Sequence, residues 1–571
     1  MNEKITTLQT DILVIGAGGA GGRATIEAAR NDVDVILAEK MFMGKSGSTP
    51  MAFGRAIRGS RDIDPEDVFI RYLQGGCFLN DQDILWRDVV ETPENLRELK
   101  KYAEEMKAGP TDSYNNALRY EISKYPNATV LENTIVTKLL MSGGKTVGAT
   151  ALDVVNGTFI HFKVKAVILA TGGCNDLYRP SEGAPLGING GVCGDGQVLA
   201  YHAGVDQVEM EMTQHQALPA NPKWNLWYRH LLGQIFRYVV MDGPFFDKDG
   251  KVIPTLSREA IATMPEGCGP PHAATYRCEM EKQIYLASLK GPVYIDLNYS
   301  AKELLRLGRI KDISEVIAIP DKALKLDTTT VEKLPRIRIV IGVLLGQGGP
   351  RINLRGETNV PGIYAAGECP GNIYGSYRVP GFMGHILTEG RIAGKYAAEY
   401  SKTVEQIDGD LAEVEEEKNR IYRFLTPKSD AISPLEVKKK IWEITGKYLF
   451  IVRNAKGLTQ AITEIDKVRK NDLPKIQAVN IKCMNLDWVE AIEVPFMLDY
   501  AEMVARSALF REESRGCQYR DDFLKMDNKN WLCHTLLRKD LQTGEMRLTK
   551  APVTMTQYKP PVEIGGKPIR I

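Results

Sequence analysis

Asp11-Ile-Leu-Val-Ile-Gly-Ala-Gly-Gly-Ala-Gly-Gly-Arg23 decides the fold. Ile12 to Ile15 read as a buried parallel strand. Gly16, Gly18 and Gly21 form G-x-G-x-x-G at its end, and Ala24 to Arg30 continue as a helix. The first glycine permits a tight turn and the second admits a pyrophosphate to the backbone. The third lets helix and strand pack closely, with phosphates on the helix N-terminus. A second strand follows, Asp34-Val-Ile-Leu-Ala-Glu39. Its Glu39 stands where an acid accepts hydrogen bonds from an adenosine ribose. Strand, glycine turn, helix, strand and acid together predict dinucleotide binding.

The remaining chain says what surrounds that unit. At 571 residues it is too long for one core, and two to four domains are expected. Its 73 basic and 72 acidic residues balance, which argues against a nucleic-acid or anionic-membrane surface. No apolar run approaches the roughly 18 to 20 residues that span a bilayer. The N-terminal ten residues are polar and lack a secretory core, so a cytoplasmic location is expected. Cysteines 77, 174, 193, 268, 278, 369, 483, 517 and 533 are scattered without any C-x-x-C, which gives no zinc or cysteine-run cluster signature. They read as free thiols, and any iron–sulfur wiring belongs to another polypeptide.

After Glu39 comes a loop rich in small residues, Lys45-Ser-Gly-Ser-Thr-Pro-Met-Ala-Phe-Gly54, suited to lie against a flat ring. Residues 65 to 106 have helical spacing. Three strands are read at 128–140, 146–152 and 157–165, leading to the buried strand Ala166-Val-Ile-Leu-Ala-Thr-Gly-Gly173. Gly194-Asp-Gly196 opens a further helix. From 207 to 340 prolines and aromatics become frequent, as in a separate inserted domain. Parallel-sheet texture returns at Gly362-Ile-Tyr-Ala-Ala-Gly-Glu368, followed by a glycine-rich loop and a helix from Leu387. Beyond 404 the chain reads as amphipathic helices broken near Pro474 and Pro495, with the charge run 413–418 as a solvated face. The expected architecture is α/β, with a discontinuous Rossmann-like dinucleotide-binding domain at 1–206 and 341–403. A capping α+β domain is inserted at 207–340, a C-terminal helical domain spans 404–540, and an extended tail spans 541–571.

These motifs in this order resemble the flavoprotein subunits of succinate dehydrogenase and fumarate reductase, a group that includes L-aspartate oxidase and the adenylylsulfate reductase alpha subunit. The resemblance rests on the opening glycines with Glu39, Ala170-Thr-Gly-Gly173, Gly194-Asp-Gly196, Met210-Glu-Met-Thr-Gln214 and Ala365-Ala-Gly-Glu368. Near the end, Ala508-Leu-Phe-Arg-Glu-Glu-Ser-Arg-Gly516, Arg520-Asp-Asp-Phe523 and Asn530-Trp-Leu-Cys-His-Thr-Leu536 look like the family's closing domain. It implies FAD as the cofactor. Contacts are implied from Gly16, Gly18, Gly19, Gly21, Glu39, Lys40, Ser46, Gly47, Val136, Ala170, Thr171 and Gly172. Asp195, Gly367, Glu368, Ile386 and Leu387 complete the set. Family members with covalent FAD attach it through a loop histidine. No histidine occurs here between Met1 and His161, so FAD is expected to be non-covalent.

The resemblance departs from its pattern at the substrate side. Where fumarate reductases carry His-Pro-Thr, this chain has His215-Gln-Ala-Leu-Pro219, its histidine one place early. Where they carry a second histidine, Leu344 stands. Arg378 lies eleven residues before Glu389 rather than eight, and Thr388-Glu-Gly-Arg-Ile-Ala-Gly394 looks more like adenylylsulfate reductase. Arg378 and Arg277 are the candidate anion-binding groups, because a guanidinium offers a planar pair of donors. His385, placed in the glycine-rich loop, and His215 are the candidate proton-handling groups. The implied function is redox exchange between flavin and a small anionic substrate, fumarate-like first and adenylylsulfate-like second, with a ferredoxin-like iron–sulfur partner. A non-catalytic electron relay in a larger complex is the other reading.

Overall fold

The structure is a computed structural model that describes residues 5–49, 64–107, 114–178, 191–220, 244–253, 273–296, 299, 306, 336–377, 383–561 and 568–571. Its centre is a five-stranded parallel sheet, in the order Ile363–Ala365, Ala166–Leu169, Ile12–Ile15, Val35–Ala38, Ala128–Leu131. The two strands flanking Ile12–Ile15 are apolar and buried throughout, as strands covered on both faces must be. The helices Gly19–Arg30 and Met383–Ser401 lie against each other on one face. Gly390 and Gly394 make that crossing possible: a Cβ there would stand 2.3 and 2.4 Å from the carbonyl oxygens of Ala20 and Ala24. The last segment read for the cofactor thus packs directly onto the first.

The other layers differ from the sequence reading at definite points. The run 128–140 is two strands in two sheets rather than one. Ala128–Leu131 pairs with Val35–Ala38, whereas Thr134–Ser142 pairs antiparallel with Lys145–Asp153 in a second sheet completed by Thr158–Lys163 and Ile5–Gln9. Between them Asn133 turns the chain with φ 53°, a region asparagine tolerates. An antiparallel sheet of Thr213–Pro219, Arg336–Gly346, Val293–Asp296 and Phe245–Phe246 forms the capping layer, with the helix Ala273–Ser288 against it.

The C-terminal helices are Leu411–Tyr422, Pro434–Tyr448, Ala455–Asn471 and Leu486–Phe510. Ser433 and Glu436 form a reciprocal capping box at the start of the second. Pro474 falls in a short turn, but Pro495 sits inside the last helix without ending it. That helix is buried on nearly every side, and this packing outweighs the hydrogen bond the proline removes. The run 413–418 is only partly a solvated face, since Glu417 and Lys418 are buried and paired with Arg420 and Glu415. Cys533–Lys539 and Met546–Pro552, expected in a helical domain and an extended tail, form an antiparallel pair that joins Gln207–Val208 and Gly349–Pro350 in a sheet. Among the described residues no helix is long and apolar enough to cross a membrane.

Candidate cofactor cleft and substrate face

A cleft of about 950 Å3, counting the solvent at its mouth, opens at the carboxyl ends of the parallel strands. Its walls come from every part of the chain singled out for a cofactor. Gly16, Gly18 and Gly19 supply the glycine turn, Glu39 and Lys40 the end of the next strand, and Ser46 and Gly47 the small-residue loop. Val136, Ala170, Thr171, Gly172, Asp195, Gly367, Glu368 and Ile386 close it. Gly21 stands behind the wall, where a Cβ would lie 1.8 Å from the carbonyl oxygen of Gly16. Leu387 is fully buried in the core beneath the glycine turn and is not among the lining residues.

Hydrogen bonds hold this wall together. The Glu39 carboxylate accepts from the Ala17 amide at 2.6 Å and from the Ser46 hydroxyl at 2.9 Å, so one acid clamps the glycine turn to the small-residue loop. Thr49 accepts from the Gly19 amide at 2.9 Å, and Thr171 from the Gly196 amide at 3.1 Å. Deeper in, the Glu389 carboxylate accepts from the Gly367 amide at 2.7 Å and from the Tyr374 hydroxyl at 3.1 Å. Burial, with the neighbouring Asp88 carboxylate, pushes Glu389 well above the usual carboxylate range.

Asp195 is anchored by a buried ion network that sequence reading did not foresee. Its Oδ2 accepts from the Lys40 ammonium at 2.7 Å, and Lys40 also reaches Glu493 on the helix Leu486–Phe510 at 2.7 Å. Lys438 then bridges Glu493 and Asp176, each at 3.1 Å. Burial opposes the charge on Lys40, but the two carboxylates overcome it and raise its pKa well above the ordinary lysine value. The cleft is thereby wired to the C-terminal helices, although the participants lie as much as 453 positions apart.

Two further networks stitch the closing segment to the cap's entry. Arg511, fully buried, donates to Glu211 at 2.6 Å and to Glu513 at 2.8 Å, and the Thr535 hydroxyl also donates to Glu211. His534 lies between Glu209 at 2.7 Å and Asp81 at 3.3 Å. Its burial lowers the pKa, but the two carboxylates prevail and push it up to about 9. The Met210-Glu-Met-Thr-Gln214 motif is thus explained locally by ionic packing.

The expected substrate residues are placed differently. His215 is buried with its ring 4.6 Å from that of Phe450, and burial plus the nearby Arg453 guanidinium lower its pKa to about 3. It is neutral and faces the C-terminal helices rather than the cleft. His385 is not in a loop: it lies in the first turn of Met383–Ser401, which begins earlier than the sequence suggested. Its ring packs 4.7 Å from Tyr72, and Nδ1 lies 3.8 Å from Asp88, while Ile386 takes the cleft side. Neither histidine lines the cleft; His215 lines a second cavity, with Cys278 and Cys517. Leu344, half-buried, is the extra residue where the pairing of Gln214 and His215 with Arg336–Gly346 slips by one. Arg378 lies outside the described residues, as does the side chain of Arg277, whose backbone belongs to the helix Ala273–Ser288.

Comparison with known proteins follows this geometry. The family described as FAD binding domain matches residues 11–123 and 114–226, and the family described as fumarate reductase flavoprotein C-term matches residues 438–564. A fumarate reductase (CoM/CoB) polypeptide of Methanothermobacter marburgensis is 27% identical over 94% of this chain and 98% of its own length. The chain belongs to the fumarate reductase and succinate dehydrogenase flavoproteins. An FAD-dependent oxidoreductase of Methanocaldococcus jannaschii, itself uncharacterised, is 28% identical over 90% of this chain and 94% of its own. In fold, the flavoprotein matches E. coli quinol fumarate reductase FrdA with a TM-score of 0.80 at 22% identity, covering 98% of this chain and 99% of that one. Adenylylsulfate reductase of Archaeoglobus fulgidus matches with a TM-score of 0.75 at 20% identity, over 97% and 98%.

The flavoprotein is an FAD-dependent oxidoreductase, and its cleft fits that cofactor. The Asp195 Oδ1 atom is buried in the cleft wall with no protein hydrogen-bond partner, which leaves an acceptor for a ligand hydroxyl. The turn at Gly16 to Gly19 leaves backbone amides at a helix N-terminus for the diphosphate. When bound, FAD supplies the two-electron chemistry that no side chain provides.

Proposed function

We propose that this flavoprotein is the FAD-carrying component of a reductase that exchanges a hydride with a small anionic enoate of the fumarate type. Electrons are shared with a ferredoxin-like iron–sulfur partner. The observation that carries the reading is the single cleft into which Glu39, Asp195 and Glu368 converge from three distant segments, beside an independently built antiparallel sheet. Glu39, Asp195 and Glu368 position the cofactor. Arg378, between Tyr377 and the helix Met383–Ser401, holds the substrate anion at the end of the last cofactor loop, and Arg277 serves it from the cap. FAD is held non-covalently: among the described residues that line the cleft, none is histidine, cysteine or tyrosine. Yellow colour that stays with acid-precipitated protein overturns that assignment.

The partner reading is supported by the M. marburgensis relative, which is named as one polypeptide of a fumarate reductase, and by nine cysteines without cluster spacing. One observation favours a second reading, an electron relay without its own substrate. His215 and His385 turn away from the cleft, and Leu344 has no hydrogen-bonding side chain. Anaerobic titration of the reduced flavin separates the readings. Re-oxidation by fumarate or another enoate supports the reductase, and re-oxidation by adenylylsulfate alone moves the substrate class. Inertness toward all of them, together with flavin reduction by an iron–sulfur protein purified with the chain, selects the relay.

A further inference from the structure

A second cavity, away from the cofactor cleft, gathers three thiols from three distant segments. Cys77 follows the helix Pro65–Gly75, Cys278 lies on the cap helix Ala273–Ser288, and Cys517 lies in the turn after Leu486–Phe510. Cys77 and Cys517 are buried, and Cys278 packs against them half-exposed. Free thiols are usually scattered in a core, so three around one opening call for an explanation.

The register of the contact is specific. Cys278 and Lys282 are four residues apart and share one helix face. Lys282 sets its ammonium 4.4 Å from the Tyr519 ring centre, and Cys278 packs against the cluster of Cys77, Tyr377 and Cys517, the last of these two residues before that tyrosine. The turn is itself fixed: the Cys517 amide donates to the Ser376 carbonyl at 3.2 Å, and Gln347 reaches the Cys517 sulfur at 3.5 Å. Arg515 donates to the carbonyl of Cys77 at 3.0 Å, which fixes the third thiol to the same turn. Helix and turn meet through one paired face, while the remainder of the cavity opens to solvent between Glu279, Leu524 and Met526.

We propose that Cys278 and Cys517 are a thiol modification site, closing into a disulfide that fastens the cap helix Ala273–Ser288 to the C-terminal turn. The oxidant is a low-molecular-weight disulfide that enters through the cavity. Cys278, on the more exposed side, gives up its proton to solvent, against the burial that raises its thiol's pKa, and attacks the small disulfide, forming a mixed disulfide and releasing one small thiolate. Cys517 then gives up its proton to solvent and attacks the Cys278 sulfur, releasing the second small thiol. Two protein thiols are oxidised by two electrons and one small disulfide is reduced to two thiols. Because the helix packs against the strands Thr213–Pro219 and Arg336–Gly346, the bond ties the cap sheet to the C-terminal turn.

Anaerobically purified holoprotein treated with oxidised glutathione, alkylated and digested tests this by mass spectrometry. A peptide pair joined through Cys278 and Cys517 is expected, with slower limited trypsinolysis between 221 and 335 that dithiothreitol restores. Exposed Cys483 serves as a control for general oxidation. Cys278→Ser loses both the pair and the protease protection, while Cys77→Ser keeps them. Glutathione left on Cys278 without a cross-link, a pair through Cys77, or no oxidation of either thiol overturns the proposal. The peptide readout is made on the native sequence, so it stands whether or not a variant folds.

Discussion

Replacing Lys40 by methionine removes the ammonium that joins the cofactor cleft to the C-terminal helices. Lys40 lies 2.7 Å from both Asp195 and Glu493, in a site where all three side chains are largely buried. Glu493 retains Lys438 at 3.1 Å, but Lys40 is the one cation paired with Asp195 among the described residues. Stranding a buried carboxylate in this way costs about 3–5 kcal/mol. Adding Asp195→Asn removes the stranded charge and leaves only lost hydrogen bonds, so the double variant is expected to lose about 1–2 kcal/mol. A chain of several domains does not unfold in one step, so the useful comparison is the temperature at which flavin fluorescence is released, across both single variants and the double. K40M is expected to release flavin at the lowest temperature, and K40M/D195N to recover much of the difference. Equal release temperatures for K40M and the double variant refute the reasoning, because Asp195 would then not be held as a charge by Lys40.

Other outcomes follow from the same structure. His534 has a folded pKa of about 9, above its ordinary 6.5, so its ionic contribution is fully present below about pH 6.5 and is lost as pH rises through 9. That loss is on the order of 3 kcal/mol, and melting temperature should fall between pH 7 and pH 10 in the native chain more steeply than in His534→Gln. Gly21→Ala puts a Cβ 1.8 Å from the Gly16 carbonyl, and equilibrium dialysis of the refolded variant should show no retained FAD. His215→Leu should leave the pH profile of enoate turnover unchanged, because the native ring is neutral and buried; a displaced profile would return that histidine to the reaction.

The cofactor half of the fold is legible because its constraints are local. A four-residue apolar strand, a glycine spacing and an acid at the next strand's end all fall within 29 residues, and each has a backbone reason that survives any tertiary context. The split of 128–140 was not legible, since both halves are β-forming and only Asn133, with its positive φ, marks where the chain changes sheets. Pro495 misled because helix propensity counts a proline's cost but not the burial that offsets it. Lys40 as an ion-pair centre was invisible for a different reason. Its partners are remote in sequence, and neither Glu493 nor Lys438 carries a local sign of burial in its charged helix.

The substrate half turns on side-chain direction, which spacing in a motif does not determine. Along Thr213–Pro219 successive residues face opposite sides, so a histidine one place early points to the other face of its sheet. A slip in pairing at Gln214 and His215, with Leu344 as the unpaired residue opposite, could in principle have restored the direction. In the structure His215 ends beside Phe450 and lines the cavity that also holds Cys278 and Cys517. His385 lies off the cleft for the analogous reason on a helix, where one residue is about 100° of rotation and Ile386 rather than its neighbour meets the cleft. Both displacements leave the cofactor wall intact while removing the hydrogen-bonding groups that the family's pattern sets opposite it. On the proposed function, the anion is held by guanidinium groups and backbone amides more than by imidazoles, and Arg378→Gln or Arg277→Gln is expected to raise the KM for the enoate before either histidine variant does; an unchanged KM in both arginine variants refutes this.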